Sequence, residues 1–488
     1  MNIRKVASYL PVLSKSEYQL PNMVDNVINY FLDSYFLKID ERNKNTQEPV
    51  PYDLNTYLKE SWLNCEIHTA INLNQIYPNY SRALTAYAFS RLFTQWSGPQ
   101  ATYEIVPYVD SFKYKEYVKN EYQVKQSQLE IGLNTQEMLP VFGTFFVKNR
   151  VTGAHLIVDL DLCYYSSQCK ISITSHSHAQ SEALGFIADL NTSRMINDIY
   201  KNQCLIFDQG YLGFSSVIPT DWNQIILKDH IIAQIKKNSI GVLDHIENLT
   251  SIGMPAHQSI LLISPPGMAK TTIFRATSNS VTNATRIWCT GKSIEFTEHV
   301  TAMFQAARDL APCILFIEDM DLFGGDRSSS SNSYILNEFL TQLDGTQSNT
   351  GVVIMASTND IDSMDEALIN RPGRFGSKIE IPLPDEEDRQ EMLVSFFKAW
   401  NARPASQISN DIWESIIKMT EGFTGDYLKA LVKEVILKAT AEGRCVGGQV
   451  QFVSDDLAVA GESMMRNFQI GKRAKKHHQY KMELETAG

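Results

Sequence analysis

Ile260 to Thr272 reads I-L-L-I-S-P-P-G-M-A-K-T-T, and the interpretation of this stretch decides the fold. Its apolar start has the composition of a buried strand, Ser264 to Ala269 form a tight loop, and Lys270-Thr-Thr opens a helix. That order suits a phosphate group: loop N–H groups turn inward, and the helix N-terminus adds partial positive charge. On this reading Ser264, Pro265, Pro266, Gly267, Met268 and Ala269 make the cradle, and Lys270 reaches the β- and γ-phosphates. Thr271 holds Mg²⁺, with Thr272 beside it in the first helical turn. The common pattern G-x-x-x-x-G-K-[ST] has glycine where this chain has Ser264 and Ala269, and Gly267 between them is the loop's own glycine. If Ala269 must take a left-handed conformation, its Cβ costs roughly 1–2 kcal/mol.

Outward from the loop, strand signals alternate with helical stretches. Ser259–Ser264, Thr285–Thr290, Cys313–Glu318, Val352–Thr358 and Lys378–Ile381 are expected as strands of a parallel sheet covered by helices on both faces. Ligands of such sheets bind at the carboxyl ends of the strands. One of those ends is acidic: Ile314-Leu-Phe-Ile is followed by Glu318, Asp319 and, two residues on, Asp321. Carboxylates there can hold Mg²⁺ through water and orient an attacking water toward a γ-phosphate. Taken alone they could equally cap a helix.

At 488 residues the chain has room for about three domains. Its hydrophobic fraction of 43% is ordinary for globular protein, and no run approaches the ~20 apolar residues of a membrane helix. A formal charge of −11 gives no global reason to expect nucleic-acid binding. The seven cysteines are scattered without a C-x-x-C pair and read as reduced thiols. Met1–Lys15 lacks the apolar core of a signal peptide, so the expected location is cytoplasmic.

Before the loop, Val24, Val27, Ile28, Phe31, Leu32 and Tyr35 form one helical stripe over Asn22–Leu37, and Tyr57–Ile76 and Ser81–Trp96 are expected as further helices. From Pro140 the period becomes two. Val141–Lys148 and His155–Leu162 flank R-V-T-G as a hairpin, and Gln168–Ser175 adds a strand. A helix over Ala179–Lys201 and short strands at Cys204–Asp208 and Leu212–Ile218 complete this part. Asp159 and Asp161 share a strand face, which reads most simply as solvated. His176-x-His178 has no acidic or cysteine partner at metal-ligand spacing.

The second half of the chain resembles the AAA family of P-loop ATPases over roughly residues 219–460. Beyond the loop and acidic strand, Ala311-Pro312 precedes that strand as in the family, and Phe339-Leu-Thr-Gln-Leu-Asp-Gly345 is similar to the helix that follows it. Val352 to Asn359 matches the sensor 1 strand, Asp365 to Phe375 is close to the second region of homology, and Gly422-Phe-Thr-Gly425-Asp426 is similar to the lid motif. The lid motif is of the branch that lacks a sensor 2 arginine. The resemblance implies ATP and Mg²⁺ as ligands, Asn359 polarising water beside the γ-phosphate, and Gly425 and Asp426 on the lid side of the nucleotide. It also implies that Arg371 and Arg374 reach a neighbouring subunit's ATP, which requires a homo-oligomeric ring, by resemblance a hexamer. A guanidinium supplied in trans is worth roughly 10³–10⁵ in rate.

The expected fold class is α/β: a P-loop parallel sheet plus a small all-α lid, preceded by helical and α+β regions. The expected divisions are a helical region at 1–104, an α+β domain at 105–218, the ATPase domain at 219–384, a helical lid at 385–462 and a basic, flexible tail at 463–488.

Besides Ser264 and Ala269, two features depart from the family. Its acidic strand usually ends Asp-Glu, whereas this one ends Glu318-Asp319, which gives Glu318 the metal side and the shorter Asp319 the water-orienting role. The usual aromatic pore loop is shortened, leaving Phe296 as the aromatic candidate, with Gly324 to Ser331 a second possible lining. Both features resemble the mitochondrial branch that translocates folded Rieske protein. The leading expectation is a ring ATPase that remodels or translocates a protein recruited through residues 1–218. A nucleotide-switched scaffold with low turnover is the alternative. A nucleic-acid motor or loader rests only on the basic cluster G-K-R-A-K-K-H-H and is opposed by the net charge. H-E-x-x-H does not occur, which argues against proteolysis within this chain.

Overall fold

The computed structural model describes residues 59–60, 62–96, 103–107, 124–162, 169–320, 330–344, 348–362, 364, 368 and 373–486. Contacts divide the chain into two units, Met1–Tyr200 with Gly210–Phe214, and Lys201–Gln209 with Ser215–Gly488. The expected helix at Asn22–Leu37, Arg371, Asp321 and the loop from Gly324 lie outside the described residues.

The first unit contains β1 (Ile71–Tyr77), α1 (Arg82–Trp96), β2 (Tyr103–Pro107), β3 (Lys125–Gly132), β4 (Thr135–Asn149), β5 (His155–Asp161), β6 (Cys169–Ser175) and α2 (Gln180–Ile196). Its antiparallel sheet runs β1-β6-β5-β4-β2, with β3 also paired to β4. Phe89 and Leu92 of α1 and Phe186 and Leu190 of α2 share a core with Phe145, Leu156 and Leu160. Each fully buried side chain of this kind contributes roughly 1.5–3 kcal/mol. The hairpin across R-V-T-G forms as expected, pairing β4 with β5. The helix expected over Tyr57–Ile76 does not: Ile71 to Tyr77 is a strand paired with β6. Ile71 and Leu73 alternate with exposed Asn72 and Asn74, a period-two pattern that outweighs the helical one. With β1 in the sheet and α1 on it, no domain boundary falls at residue 104.

In chain order there follow β7 (Cys204–Asp208), which lies in the second unit, and β8 (Tyr211–Phe214), which lies in the first. The second unit continues with α3 (Asp229–Asn238), β9 (Gln258–Ile263), α4 (Lys270–Ser280), β10 (Thr285–Thr290), α5 (Thr297–Asp309), β11 (Cys313–Glu318), α6 (Ser330–Leu343), β12 (Val352–Thr358) and β13 (Ser377–Glu380). Strand pairs are parallel in the order β13-β9-β12-β11-β10-β7. The five expected strands are present, and β7 is an addition, drawn from the segment ahead of the expected boundary at Pro219. Its Leu205 and Phe207 are fully buried, so the strand's apolar residues find their core in this sheet.

The lid comprises α7 (Glu386–Ala399), β14 (Ala402–Pro404), α8 (Asn410–Met419), α9 (Gly425–Ala441), β15 (Cys445–Val446), β16 (Gln449–Phe452) and α10 (Ser454–Thr486). It is not all-α. Gly447 and Gly448 both have positive φ, 60° and 77°, the geometry a two-residue hairpin demands, and β15 and β16 pair around them. Val450 and Phe452 of β16 then point into the lid core. α10 runs as one helix through most of the segment read as a tail, as far as Thr486. Among the described residues no helix is long and apolar enough to cross a membrane.

Candidate functional site

The order of the parallel strands sets three carboxyl ends side by side. Thr358 pairs with Ile263, so the residue after β12 lies beside the loop after β9, while β11 with its acidic end flanks β12 on the other side. Helix α4 is fixed behind the loop by aromatic packing. Phe274 lies 5.2 Å from Phe316 of β11 and 6.2 Å from Trp288 of β10, ring centre to ring centre.

The loop takes the shape required to cradle an anion, at a cost. Gly267 has φ 84°, and a Cβ there would come within 2.8 Å of Thr424 Oγ1, so only glycine fits. Ala269 is left-handed, φ 60° and ψ 22°, in the position where the common pattern has its second glycine. The strain anticipated from the sequence is therefore present, at roughly 1–2 kcal/mol. Met268 and Ser264 are buried, while Pro265 and Pro266 are exposed.

Lys270 is folded across the base of this loop. Its Nζ donates to the carbonyl of Ser264 at 2.9 Å, Ser264 Oγ at 3.0 Å, the carbonyl of Pro265 at 3.3 Å and Asn359 Oδ1 at 2.9 Å. Asn359 passes the connection on, its Nδ2 donating to Asp319 Oδ1 at 3.0 Å. Lysine, sensor amide and shorter carboxylate thus form one chain of hydrogen bonds across three elements. Asp319 itself has φ 51°, with its N–H directed to Ser357 Oγ at 3.3 Å.

Glu318 Oε1 is buried and has no hydrogen-bond partner among the described residues. A buried carboxylate oxygen left in that state is costly unless a cation meets it. Glu318 and the half-buried Thr271 in the first turn of α4 each offer a hard oxygen of the kind that suits Mg²⁺. Thr272 is half-buried next to Thr271.

The lid motif closes directly on the loop. The Asp426 N–H donates to the Gly267 carbonyl at 3.2 Å, and a Cβ on Gly425 would stand 3.3 Å from the same oxygen. Gly425 and Asp426 thus both lie against the loop. Thr424, whose hydroxyl faces Gly267, was not anticipated, although its position between Phe423 and Gly425 in the quoted motif pointed to it.

The arginine side is different. Arg374 is buried, 6% exposed, and makes a two-pronged pair with Asp344, Nε to Oδ1 and Nη2 to Oδ2, both at 2.9 Å. Within one chain it is a structural ion pair, and Asp344 at the end of α6 is the partner that the sequence did not reveal. Phe296, at the N-terminus of α5, is exposed with its ring 5.3 Å from that of His299. In the first unit, His176 and His178 stack on one another at 4.8 Å. Among the described residues no three His, Cys, Asp or Glu side chains gather as a metal cluster.

Fold and site together define a phosphate-loop nucleotide site on a parallel sheet. Residues 260–383 match the model of the "ATPase family associated with various cellular activities (AAA)", and the chain therefore carries an AAA ATPase domain. Among its relatives are the ATP-dependent zinc metalloprotease FtsH of Mycoplasma pneumoniae, 33% identical over 224 residues, which are 43% of this chain and 31% of that protein. The rice protein FTSH 9, chloroplastic/mitochondrial, is 31% identical over 241 residues, 46% of this chain and 30% of the relative. Human YME1L1, also an ATP-dependent zinc metalloprotease by name, is 30% identical over 247 residues, 47% of this chain and 31% of the relative. The chain thus spans about a third of the length of these relatives.

Proposed function

We propose that this chain binds and hydrolyses ATP within a homo-oligomeric ring, a hexamer by family resemblance, to remodel or translocate a protein partner. The observation that carries the reading is the hydrogen-bonded series Lys270–Asn359–Asp319 at adjoining strand ends, capped by the lid at Gly267. The four acceptors described around Lys270, two carbonyls, a hydroxyl and an amide oxygen, are neutral and exchangeable. A phosphate entering the loop would take the ammonium from the Ser264 and Pro265 carbonyls at little cost, because a bond between two ions replaces bonds from an ion to neutral acceptors. The loop N–H groups and the α4 N-terminus would hold the remaining phosphate oxygens.

Thr271 and Glu318 would hold Mg²⁺, which when bound neutralises charge on the β- and γ-phosphates. Asp319 would orient the attacking water and Asn359 would polarise it. Arg371 and Arg374 would serve a neighbouring subunit's ATP. For Arg374 that role requires exchanging Asp344 for phosphate, so ring assembly and release of this pair are coupled. Residues 1–218 would recruit a protein substrate or adaptor, in a cytoplasmic setting.

The test is steady-state phosphate release by the full chain and by Lys270→Ala. Release by the wild type that is lost in the variant supports the reading; equal release from both overturns it. A second reading, a nucleotide-switched assembly scaffold, is favoured by the left-handed Ala269 and the intramolecular Arg374–Asp344 pair. It predicts nucleotide-dependent oligomerisation with negligible release. Stimulation of turnover by DNA or RNA would instead favour a nucleic-acid motor or loader.

A further inference from the structure

Helix α9 begins at Gly425, and its first turn lies against the apex of the phosphate loop. The N-terminus of a 17-residue helix so placed would ordinarily attract the phosphates held there. In this chain the same turn carries a carboxylate. The Asp426 backbone N–H donates to the Gly267 carbonyl, and its Oδ2 stands 3.1 Å from where a Cβ on Gly267 would be. No Lys or Arg among the described residues makes an ion pair with Asp426, so the charge faces the loop without a local counterion in the described set. Asp426 is exposed, which leaves its field screened by solvent but not removed.

We propose that Asp426 is a specificity-determining residue of the nucleotide site: its carboxylate cancels the attraction of the α9 N-terminus and disfavours nucleotides in proportion to their phosphate charge. This rests on the reading of the site as an ATP site. The backbone of Asp426 closes the lid on Gly267 while its side chain limits how tightly polyphosphate is held. ATP, with the most charge, is affected most, so the residue narrows the preference of the loop for triphosphate over less charged nucleotides and eases product departure.

The experiment compares the full chain with Asp426→Asn and Asp426→Glu in equilibrium titrations with a β,γ-nonhydrolysable ATP analogue, ADP, AMP and adenosine. Asparagine keeps the shape and the backbone N–H but removes the charge. The expected result is tighter binding of the ATP analogue by about two- to fivefold, the range expected for a charge at a helix terminus. The gain should shrink stepwise through ADP and AMP to nothing for adenosine, and should narrow as salt is raised. Asp426→Glu should keep the wild-type pattern. A uniform change across all four ligands, or weaker binding of the ATP analogue by Asp426→Asn, overturns the inference while leaving the ATP site standing. If neither wild type nor variants bind any of the phosphorylated ligands, the site reading itself fails and the inference with it.

Discussion

Two buried cations of the ATPase domain are held in opposite ways. Lys270, 8% exposed, donates to two carbonyls, a hydroxyl and an amide oxygen, and it sits on a loop stretched into a left-handed turn. Arg374, 6% exposed, grips both oxygens of one carboxylate. Neutral acceptors yield readily to an incoming phosphate, whereas a fork-to-fork ionic pair holds its geometry. The lysine end is thus built to exchange partners, and the arginine end is built to hold until something of comparable charge replaces Asp344.

The comparison is tested most strongly at the lysine. Lys270→Ala should reduce phosphate release by at least about a hundredfold, since positioning and charge stabilisation are nearly all of phosphoryl-transfer catalysis. Its unfolding midpoint in urea should correspond to a change within about 1 kcal/mol, because the cost of desolvating the buried ammonium offsets much of what its hydrogen bonds contribute. A large loss of stability would show that Lys270 is as structural as Arg374. Next is Asp319→Asn, which removes the carboxylate proposed to orient water but keeps a hydrogen-bonding partner for Asn359. Turnover should fall by about 10²-fold or more while ATP stays bound, a trap readable by filter retention of radiolabelled nucleotide. Unchanged turnover would remove Asp319 from the mechanism.

Arg374→Ala should behave in the reverse manner to Lys270→Ala. It leaves Asp344, 32% exposed, without its guanidinium, and should cost about 1.5–3 kcal/mol, the range for hydrogen bonds to charged groups. The same unfolding assay reads it. If Arg374→Ala is as stable as wild type, the intramolecular pair is incidental and the arginine is free to serve a neighbour without competition.

Much of this was legible in the sequence, and the boundary of legibility has physical causes. The β9, β11 and β12 strands are nearly continuous apolar runs, as strands buried on both faces must be, so their positions read directly, whereas β10 and β13 alternate buried and more exposed residues. Lys270 reads from the phosphate-loop pattern and Asp319 from the acidic strand end, while Asn359 comes from the resemblance to the AAA family. What was missed depends on pairing at a distance. Asp344 is one acidic residue near the end of a helix, and nothing local distinguishes it until Arg374 is folded against it. β1 was misread because a seven-residue strand beside a helix shares apolar residues with a helical stripe, and only its pairing with β6 settles the period. The lid's small sheet was missed for a related reason: its strands are too short to show a period, although Gly447-Gly448 marked the turn.

The smallest effect bears on why the lysine end is strained at all. Ala269 takes φ 60° directly before Lys270, a conformation that glycine adopts without cost and alanine does not. If this backbone is required to aim the loop N–H groups, then Ala269→Gly relieves strain in the folded state, but it also adds freedom to the unfolded chain. The two terms oppose each other, roughly 1–2 kcal/mol of relief against about 0.4–1 kcal/mol of added chain entropy. The expected net gain in folding stability is therefore about 1 kcal/mol or less. Nucleotide affinity follows only if the empty loop samples other shapes: binding then no longer has to impose the strained turn, and Kd should tighten by up to about tenfold. If the loop holds the left-handed turn both with and without nucleotide, the strain is present before and after binding and cancels from Kd. Ala269→Gly should then raise the unfolding midpoint and leave Kd unchanged within about twofold. Calorimetric Kd and urea unfolding on the same preparation separate these outcomes. A stabilised variant with unaltered Kd would mean that the lysine end is preorganised like the arginine end, and that the two differ only in the exchangeability of their partners.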